Sequence, residues 1–438
     1  MKPARAAAAP ESVEITGLSH DGRGIARLAG KTAFVPGALP GEQVTVERRN
    51  RRGSFDEATL LSVERASAER VVPRCSAYGT CGGCALQHAS PALQRAAKHQ
   101  ALVDELGRIG KVTPAQWLAP LTGPEFNYRR RARLGVKYVA KKGRVLVGFR
   151  ERAAPYVADV SVCEVLAPPV ATLIEPLAAL IGSLSIRERI PQVEVAIADA
   201  ATALVFRNLD APSAADSEAL LAFGATHGVD VWLQPGGLAT AAPLGPHRPL
   251  TYRLAEGEVT LTFQPLDFIQ VNGALNDRMV AQALDWLAAG PADAVLDLYC
   301  GLGNFTLPIA RRAGRVHGVE GEAGLIERAR ANASANGIDN ARFSVADLSK
   351  DCRDLPFARE AYQRVLLDPP RVGAREMLPL IAALGPARVV YISCHPGSLA
   401  RDAGLLVHEH GFRLLAAGIM DMFPHTAHVE SMAVFERG

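Results

Sequence analysis

Apolar residues follow two different rhythms along this chain, and the change falls near residue 263. Before it, short alternating runs are separated by glycine: Val13-Glu14-Ile15, Thr32-Ala33-Phe34-Val35, Glu42-Gln43-Val44-Thr45-Val46 and Ala58-Thr59-Leu60-Leu61-Ser62-Val63. A period of two marks half-buried strands, so residues 11–66 are expected to form a small β-barrel. Arg48, Arg49, Arg51 and Arg52 are expected to interrupt it as a loop able to grip phosphate. A helix is expected across 91–107, followed by a β-rich region with runs at 127–138, 145–150, 193–197 and 202–206. Beyond residue 263 the pattern alternates longer helical stretches (272–289, 305–313, 322–336) with apolar runs at 294–299, 315–320, 341–345, 364–368 and 389–393. That alternation predicts βαβ units and a mostly parallel sheet covered by helices.

A parallel sheet gathers chemistry at the carboxyl ends of its strands. Ala294-Val295-Leu296-Asp297-Leu298-Tyr299 runs into Cys300-Gly301-Leu302-Gly303-Asn304, a tight strand-to-helix turn that lets a ligand approach the backbone. Glu320 ends the next strand, where a carboxylate can accept ribose hydroxyls, and Asp347 ends the one after it, near an adenine edge. This set fits an S-adenosylmethionine crevice; a nicotinamide dinucleotide is the rival, weakened because the third glycine of G-x-G-x-x-G is missing. In Gln264-Pro265-Leu266-Asp267-Phe268-Ile269-Gln270, the amide of Gln270 can make contacts while Phe268 is expected to pack. Asp368, in Asp368-Pro369-Pro370-Arg371, and Cys394, in Ser393-Cys394-His395-Pro396, end two further strands. A thiol and a carboxylate can therefore meet, although a free cysteine is as often an inert small hydrophobe.

Charge changes the picture at the other end of the chain. Residues 1–150 hold 25 Lys and Arg against 12 Asp and Glu, while residues 151–438 hold 23 against 33. A basic amino-terminal third points to a polyanionic partner, most simply a nucleic acid. With 48% hydrophobic residues and no uninterrupted apolar run long enough to span a bilayer, the 438-residue chain reads as a multidomain soluble protein with no membrane association, and a cytoplasmic location is expected. Cys75-x5-Cys81-x2-Cys84, flexed by Gly79, Gly82 and Gly83, reads as part of a metal or iron-sulfur site with Cys163 as the nearest fourth ligand. Spacing alone does not choose zinc over iron-sulfur.

Taken together, these segments and Asp421-Met422-Phe423-Pro424-His425-Thr426-Ala427-His428-Val429-Glu430 resemble the bacterial RNA (uracil-C5) methyltransferases of the TRAM-containing, iron-sulfur class, in particular those acting on 23S ribosomal RNA. The resemblance covers essentially the whole chain. It implies an α/β, Rossmann-like methyltransferase domain at 263–438, an oligonucleotide-binding type TRAM barrel at 8–66, and a β-rich central domain at 67–262 carrying a 4Fe-4S cluster on Cys75, Cys81, Cys84 and Cys163. It also implies S-adenosylmethionine binding by Gln270, Tyr299, Asn304, Glu320, Asp347 and Asp368, with Cys394 as nucleophile and Glu430 as base. The implied partner is 23S ribosomal RNA, free or in an early assembly particle, with no obligate protein partner. One departure stands beside the nucleophile: the family commonly has Ser-Cys-Asn-Pro, and this chain has His395 in place of the asparagine.

Overall fold

The computed structural model describes residues 9–51, 53–152 and 154–437. These residues form two compact units. The first comprises the chain up to Ala101 with Arg150–Tyr156 and Phe423–His428, and the second comprises Leu102–Phe149, Val157–Met422 and the chain from Val429 onward. No helix among the described residues is long and apolar enough to cross a membrane.

In the first unit, β1 (Glu11–Glu14), β2 (Gly17–Leu18), β3 (Gly24–Leu28), β4 (Lys31–Val35), β5 (Gln43–Arg51) and β6 (Asp56–Arg65) make one sheet in the order β1-β5-β6-β4-β3-β2. Its strands surround a core that includes Ile15, Leu28, Val35, Val44 and Val46, the inward half of the alternating runs. The arginine run differs from expectation. Arg48 to Arg51 continue β5 rather than forming a loop, because Arg48 is held by Glu11 at 3.1 Å and Asp56 at 3.5 Å across neighbouring strands. Arg52 of that run, like residue 8 at the start of the expected barrel, lies outside the described residues. The helix expected at 91–107 is α1 (Pro91–Glu105), which runs into a π-helical turn at Leu106–Gly110.

The second unit holds two sheets and a hairpin. After the short strand β7 (Gln116–Trp117) come β8 (Arg131–Val139), β9 (Arg144–Gly148), β10 (Gln192–Ile197), β11 (Thr202–Arg207), β12 (Asp230–Gln234) and β13 (Ala242–Pro243). Strands β8 to β13 form a sheet in the order β13-β12-β11-β10-β8-β9. Two helices unforeseen in the sequence pattern, α2 (Ile174–Ser183) and α3 (Ala214–His227), accompany it. The alternating arginines of β8 are already engaged: Arg133 lies 2.6 Å from Glu194 and Arg131 lies 4.0 Å from it. The hairpin β14 (Leu250–Leu254) and β15 (Val259–Phe263) precedes α4 (Gly273–Leu287), whose first turn is capped by Asn272.

The remaining strands are β16 (Ala294–Leu298), β17 (Arg315–Glu320), β18 (Ala341–Val345), β19 (Arg364–Leu367), β20 (Arg388–Ser393), β21 (Phe412–Met420) and β22 (Glu430–Arg437). Their helices are α5 (Thr306–Ala310), α6 (Ala323–Ala335), α7 (Leu378–Leu384) and α8 (Pro396–His408). The sheet order is β18-β17-β16-β19-β20-β22-β21-β7. β16 to β20 pair in parallel, and β22 inserts antiparallel between β20 and β21. The strand order reverses beside β16, so the carboxyl ends of β16, β17, β19 and β20 open on a common crevice. Because β22 runs the other way, its first residue, Glu430, is delivered to that same end.

Helix α8 is held close to the π-helical turn. A methyl group placed on Gly110 would stand 2.4 Å from the Ala400 carbonyl oxygen, and one on Gly404 would stand 2.8 Å from the Gly110 oxygen. Only hydrogen fits at this crossing. Gly110→Ala is expected to destabilise the protein by about 2 kcal/mol through overpacking. Gly107→Ala, with nothing within 4 Å of the added carbon, should be nearly neutral. Urea unfolding of both variants checks this, and equal midpoints would contradict it.

Candidate active site

The loop after β16 turns on three left-handed residues: Tyr299 (φ 63°), Gly301 (φ 55°) and Gly303 (φ 101°). Tyr299 has a side chain that disfavours this conformation, so the surroundings must hold it, and its hydroxyl donates to the Leu348 carbonyl at 3.3 Å. Glu320, at the end of β17, accepts backbone N–H groups from Gly301 (3.2 Å), Gly321 (2.7 Å) and Glu322 (3.2 Å). It thereby ties two strand ends together while its remaining lone pairs stay available to a diol. Asn304 is wired behind the loop. Its amide exchanges hydrogen bonds with Asn276 at 2.9 and 3.0 Å, and its oxygen accepts from the Tyr252 hydroxyl at 3.0 Å. Sequence reasoning passed over Asn276 and Tyr252. The only signal was an asparagine one helical turn after the cap Asn272.

Two acids in the crevice are perturbed. Burial pushes Asp297 up to about 7, opposed by the Thr306 hydrogen bond and reinforced by Asp368 and Glu320. Thr306 donates to one of its oxygens at 2.5 Å, and the other has no partner among the described residues. Burial likewise pushes Asp368 up to about 7. An orphaned buried oxygen and a desolvated carboxylate suit a site that receives a polar, cationic ligand. Asp347 differs: it is exposed, and hydrogen bonds from Ser349 (2.6 Å) and Lys350 (2.9 Å) hold it down to about 2.

The segment before α4 corrects one expectation. Phe268 does not pack; it is 72% exposed. Asp267 is buried against Arg328 at 2.7 Å and accepts the Gln264 N–H at 2.7 Å, while Arg131 donates to the Pro265 carbonyl and Arg130 N–H to Val271 at 2.8 Å. With residues 267, 269 and 271 drawn inward, extended alternation turns Phe268 and Gln270 outward. Gln270 is half-buried.

On the other side of the crevice, Ser393 pairs with Ser431, whose hydroxyl donates to the Ser393 carbonyl at 3.3 Å. The next positions on the two strands are Cys394 and Glu430. Cys394 is half-buried, and its thiol is pushed up to about 11, first by burial and then by the charges of Glu430 and Asp368, with Arg371 opposing. Cys394, Glu430 and Asp368 thus share one electrostatic neighbourhood. His395 has a clear structural role: it caps α8, its Nδ1 accepting the Ser398 N–H at 3.1 Å. An asparagine oxygen serves the same purpose, so the departure from Ser-Cys-Asn-Pro keeps the helix start. Ser398 also donates to the Arg371 carbonyl at 2.9 Å, and Ala374 N–H is held by Asp402 at 2.8 Å, so the middle and the far end of the Asp368–Ala374 loop are fixed.

The cysteine loop belongs to the first unit. Cys75 N–H donates to Gln87 at 3.1 Å, Gly83 N–H to the Cys81 sulfur at 3.4 Å, and Arg152 to the Cys84 carbonyl at 2.6 Å. Burial raises the Cys81 thiol, the Gly83 bond opposes it, and Cys75 adds to the rise, so these two sulfurs feel one another. Cys163 is buried in the second unit, its N–H donating to the Ala171 carbonyl at 3.0 Å. Among the described residues, no three or more His, Cys, Asp and Glu side chains are arranged about a metal ion.

A parallel sheet with a glycine turn after its first strand, an acid ending the second and an antiparallel strand near its edge fits an S-adenosylmethionine crevice, and the match to a methyltransferase family makes the chain an S-adenosylmethionine-dependent methyltransferase. Residues 250–438 match the family described as tRNA (Uracil-5-)-methyltransferase, and residues 11–47 match the TRAM domain. The fold is that of the Pyrococcus abyssi tRNA (uracil-54, C5)-methyltransferase solved with S-adenosyl-L-homocysteine, with a TM-score of 0.75 and 24% identity over 97% of this chain and all of that one. The chain is 54% identical to the 23S rRNA (uracil(1939)-C(5))-methyltransferase RlmD of Alkalilimnicola ehrlichii, over 98% of this chain and 97% of that protein. It is 52% identical, over the same shares, to the protein of that name from Stenotrophomonas maltophilia. The chain belongs to the family of 23S rRNA (uracil-C5)-methyltransferases, which bears out the resemblance read in the sequence. Its methyl donor is S-adenosylmethionine.

The raised thiol gives a pH prediction. Alkylation of Cys394 by iodoacetamide without RNA should rise toward a midpoint near pH 11, the thiolate being the reactive form. Glu430→Gln removes a like charge and should lower that midpoint. Mass spectrometry of the Cys394 peptide across pH measures it, and a midpoint unmoved by Glu430→Gln would contradict their proximity.

Proposed function

We propose that this chain methylates carbon 5 of one uridine in 23S ribosomal RNA, the uridine corresponding to position 1939 in the names of its relatives, with Cys394 as nucleophile and Glu430 as base. The observation that carries this reading is that the thiol and the carboxylate occupy facing strand ends and perturb one another. Uracil carbon 5 is too weakly nucleophilic to take a methyl group unaided. As a thiolate, its proton lost to solvent, Cys394 forms a bond to carbon 6 and pushes an electron pair into an enolate. Carbon 5 then takes the methyl group from the sulfonium, whose sulfur–methyl bond breaks to leave S-adenosylhomocysteine. Glu430 removes the carbon 5 proton, the 5,6 double bond re-forms, and the Cys394 thiolate leaves.

The other residues bind and orient. Glu320 offers its spare lone pairs to the ribose, Asp347 the adenine edge, and Tyr299 and Gln270 line the pocket. Asn304 keeps the turn in shape through Asn276 and Tyr252. Asp368 faces the sulfonium or the pyrimidine. Cys75, Cys81, Cys84 and Cys163 would hold a 4Fe-4S cluster, a reading supported by the thiol-rich donor set, and the cluster would brace the fold without redox turnover. The parts 8–66, 67–262 and 263–438 serve as RNA-binding barrel, central domain and catalytic domain. A base in a duplex cannot reach the crevice, so the target is unpaired or flipped out, in free 23S RNA or an early assembly particle in the cytoplasm.

Cys394→Ala is expected to abolish methylation and covalent addition while leaving cofactor affinity within about twofold. Glu430→Gln should slow turnover by about a hundredfold or more and accumulate a methylated RNA–protein adduct stable in SDS. Labelled S-adenosylmethionine with unmodified 23S RNA, followed by gel analysis and nucleotide mapping, reads both. Turnover by Cys394→Ala, or clean product release by Glu430→Gln, would remove the residue from its role, and label at a transfer RNA instead would move the target.

A further inference from the structure

The peptide leading to Glu430 is gripped by buried side chains that the reaction above does not use. After Met422 the chain leaves the second unit, contributes Phe423–His428 to the first, and returns at Val429, one residue before Glu430. Within the first unit, Ala85 and Leu86 both donate their N–H groups to the His425 carbonyl, at 2.8 and 2.9 Å. His425 N–H donates to Gln94 Oε1 at 2.7 Å, and Gln94 Nε2 lies 3.3 Å from His425 Nδ1 and donates to the Ala89 carbonyl at 2.9 Å. Lys98 Nζ donates to the Phe423 carbonyl at 2.9 Å.

Gln94 and Lys98 are each 2% exposed, and His425 is 4% exposed with a left-handed φ of 66°. Burying an ammonium and an amide is costly, and here Lys98 binds the Phe423 carbonyl while Gln94 binds the His425 N–H. Those contacts hold a non-glycine residue in a conformation that the local chain disfavours. The residue after this segment's exit, Glu430, is fixed from the other side by the pairing of Ser431 with Ser393. Glu430 therefore follows, two residues along the chain, a loop held within the first unit, and begins a strand paired within the second.

We propose that Gln94 and Lys98, with the amides of Ala85 and Leu86, are positioning residues for Glu430: they set the loop from which the base is presented to the carbon 5 proton. The proposal rests on the reading of Glu430 as the base. Ala85 and Leu86 directly follow Cys84, so the end of the cysteine loop itself takes part in holding the base-bearing peptide. A misplaced base leaves thiol addition and methyl transfer intact and slows only the last proton removal.

The test is a single-turnover reaction of the full-length protein with 23S RNA bearing tritium at uridine carbon 5 and S-adenosylmethionine bearing a carbon-14 methyl group. Methyl transfer and tritium release are timed together, and their ratio does not depend on how much of a variant is folded. In Gln94→Leu and Lys98→Met, tritium release is expected to lag methyl transfer about tenfold, with a transient SDS-stable methylated adduct and KM for RNA within about twofold. Lys98→Arg, which keeps the donor, should narrow the lag. Release in step with transfer in both variants, while Glu430→Gln does accumulate adduct, would overturn the positioning role alone. Absence of adduct in Glu430→Gln would overturn the assignment of the base and this inference with it.

Discussion

The antiparallel insertion of β22 beside β20 is the constraint on which the rest of the site depends. Five parallel strands alone would deliver Tyr299, Glu320, Asp368 and Cys394 to one crevice. A strand running the opposite way adds a residue from its beginning, so Glu430 arrives opposite Cys394 although 36 positions separate them in sequence. The register Ser393 with Ser431 fixes that meeting, and a slip of β22 by one residue would turn Glu430 to the other face, away from Cys394.

The second consequence is electrostatic. A crevice that buries Asp297 and half-buries Asp368 raises both acids to about 7 and lifts the thiol to about 11. The Cys394 thiol is therefore protonated near neutral pH, and the charge of Arg371, with a backbone hydrogen bond, favours its thiolate. A thiol held protonated in this way is less prone to adventitious oxidation. His395 contributes to this through backbone architecture: as the cap of α8 it fixes the peptide that follows Cys394.

Much of this was legible in the sequence. Strands β16, β19 and β20 carry buried apolar runs that lead into Tyr299-Cys300-Gly301, Asp368 and Cys394, so their positions could be read directly. The cysteine motif, the basic first third and the departure at His395 were equally visible. Other features depend on partners distant in sequence. The arginines after Glu47 read as a loop because Glu11 and Asp56, which make Arg48 a strand residue, lie elsewhere in the chain. Phe268 read as packed because the inward pull on Asp267 comes from Arg328. That Arg150–Tyr156 and Phe423–His428 join the first unit has no local signature, since it rests on hydrogen bonds such as Gly82 to Arg150 and Leu86 to His425.

The central claim is that Cys394 forms a covalent bond to the target uracil while Glu430 waits for the carbon 5 proton. Replacing that hydrogen by fluorine leaves a base nothing to remove, so the reaction should stop at the methylated adduct. The most direct measurement is therefore mass spectrometry of peptides from the protein incubated with 5-fluorouridine-substituted 23S RNA and S-adenosylmethionine. The account predicts one methylated fluorouridine nucleotide attached to the peptide containing Cys394. Attachment to another of the seven cysteines, or methylation with no attached nucleotide, would contradict it.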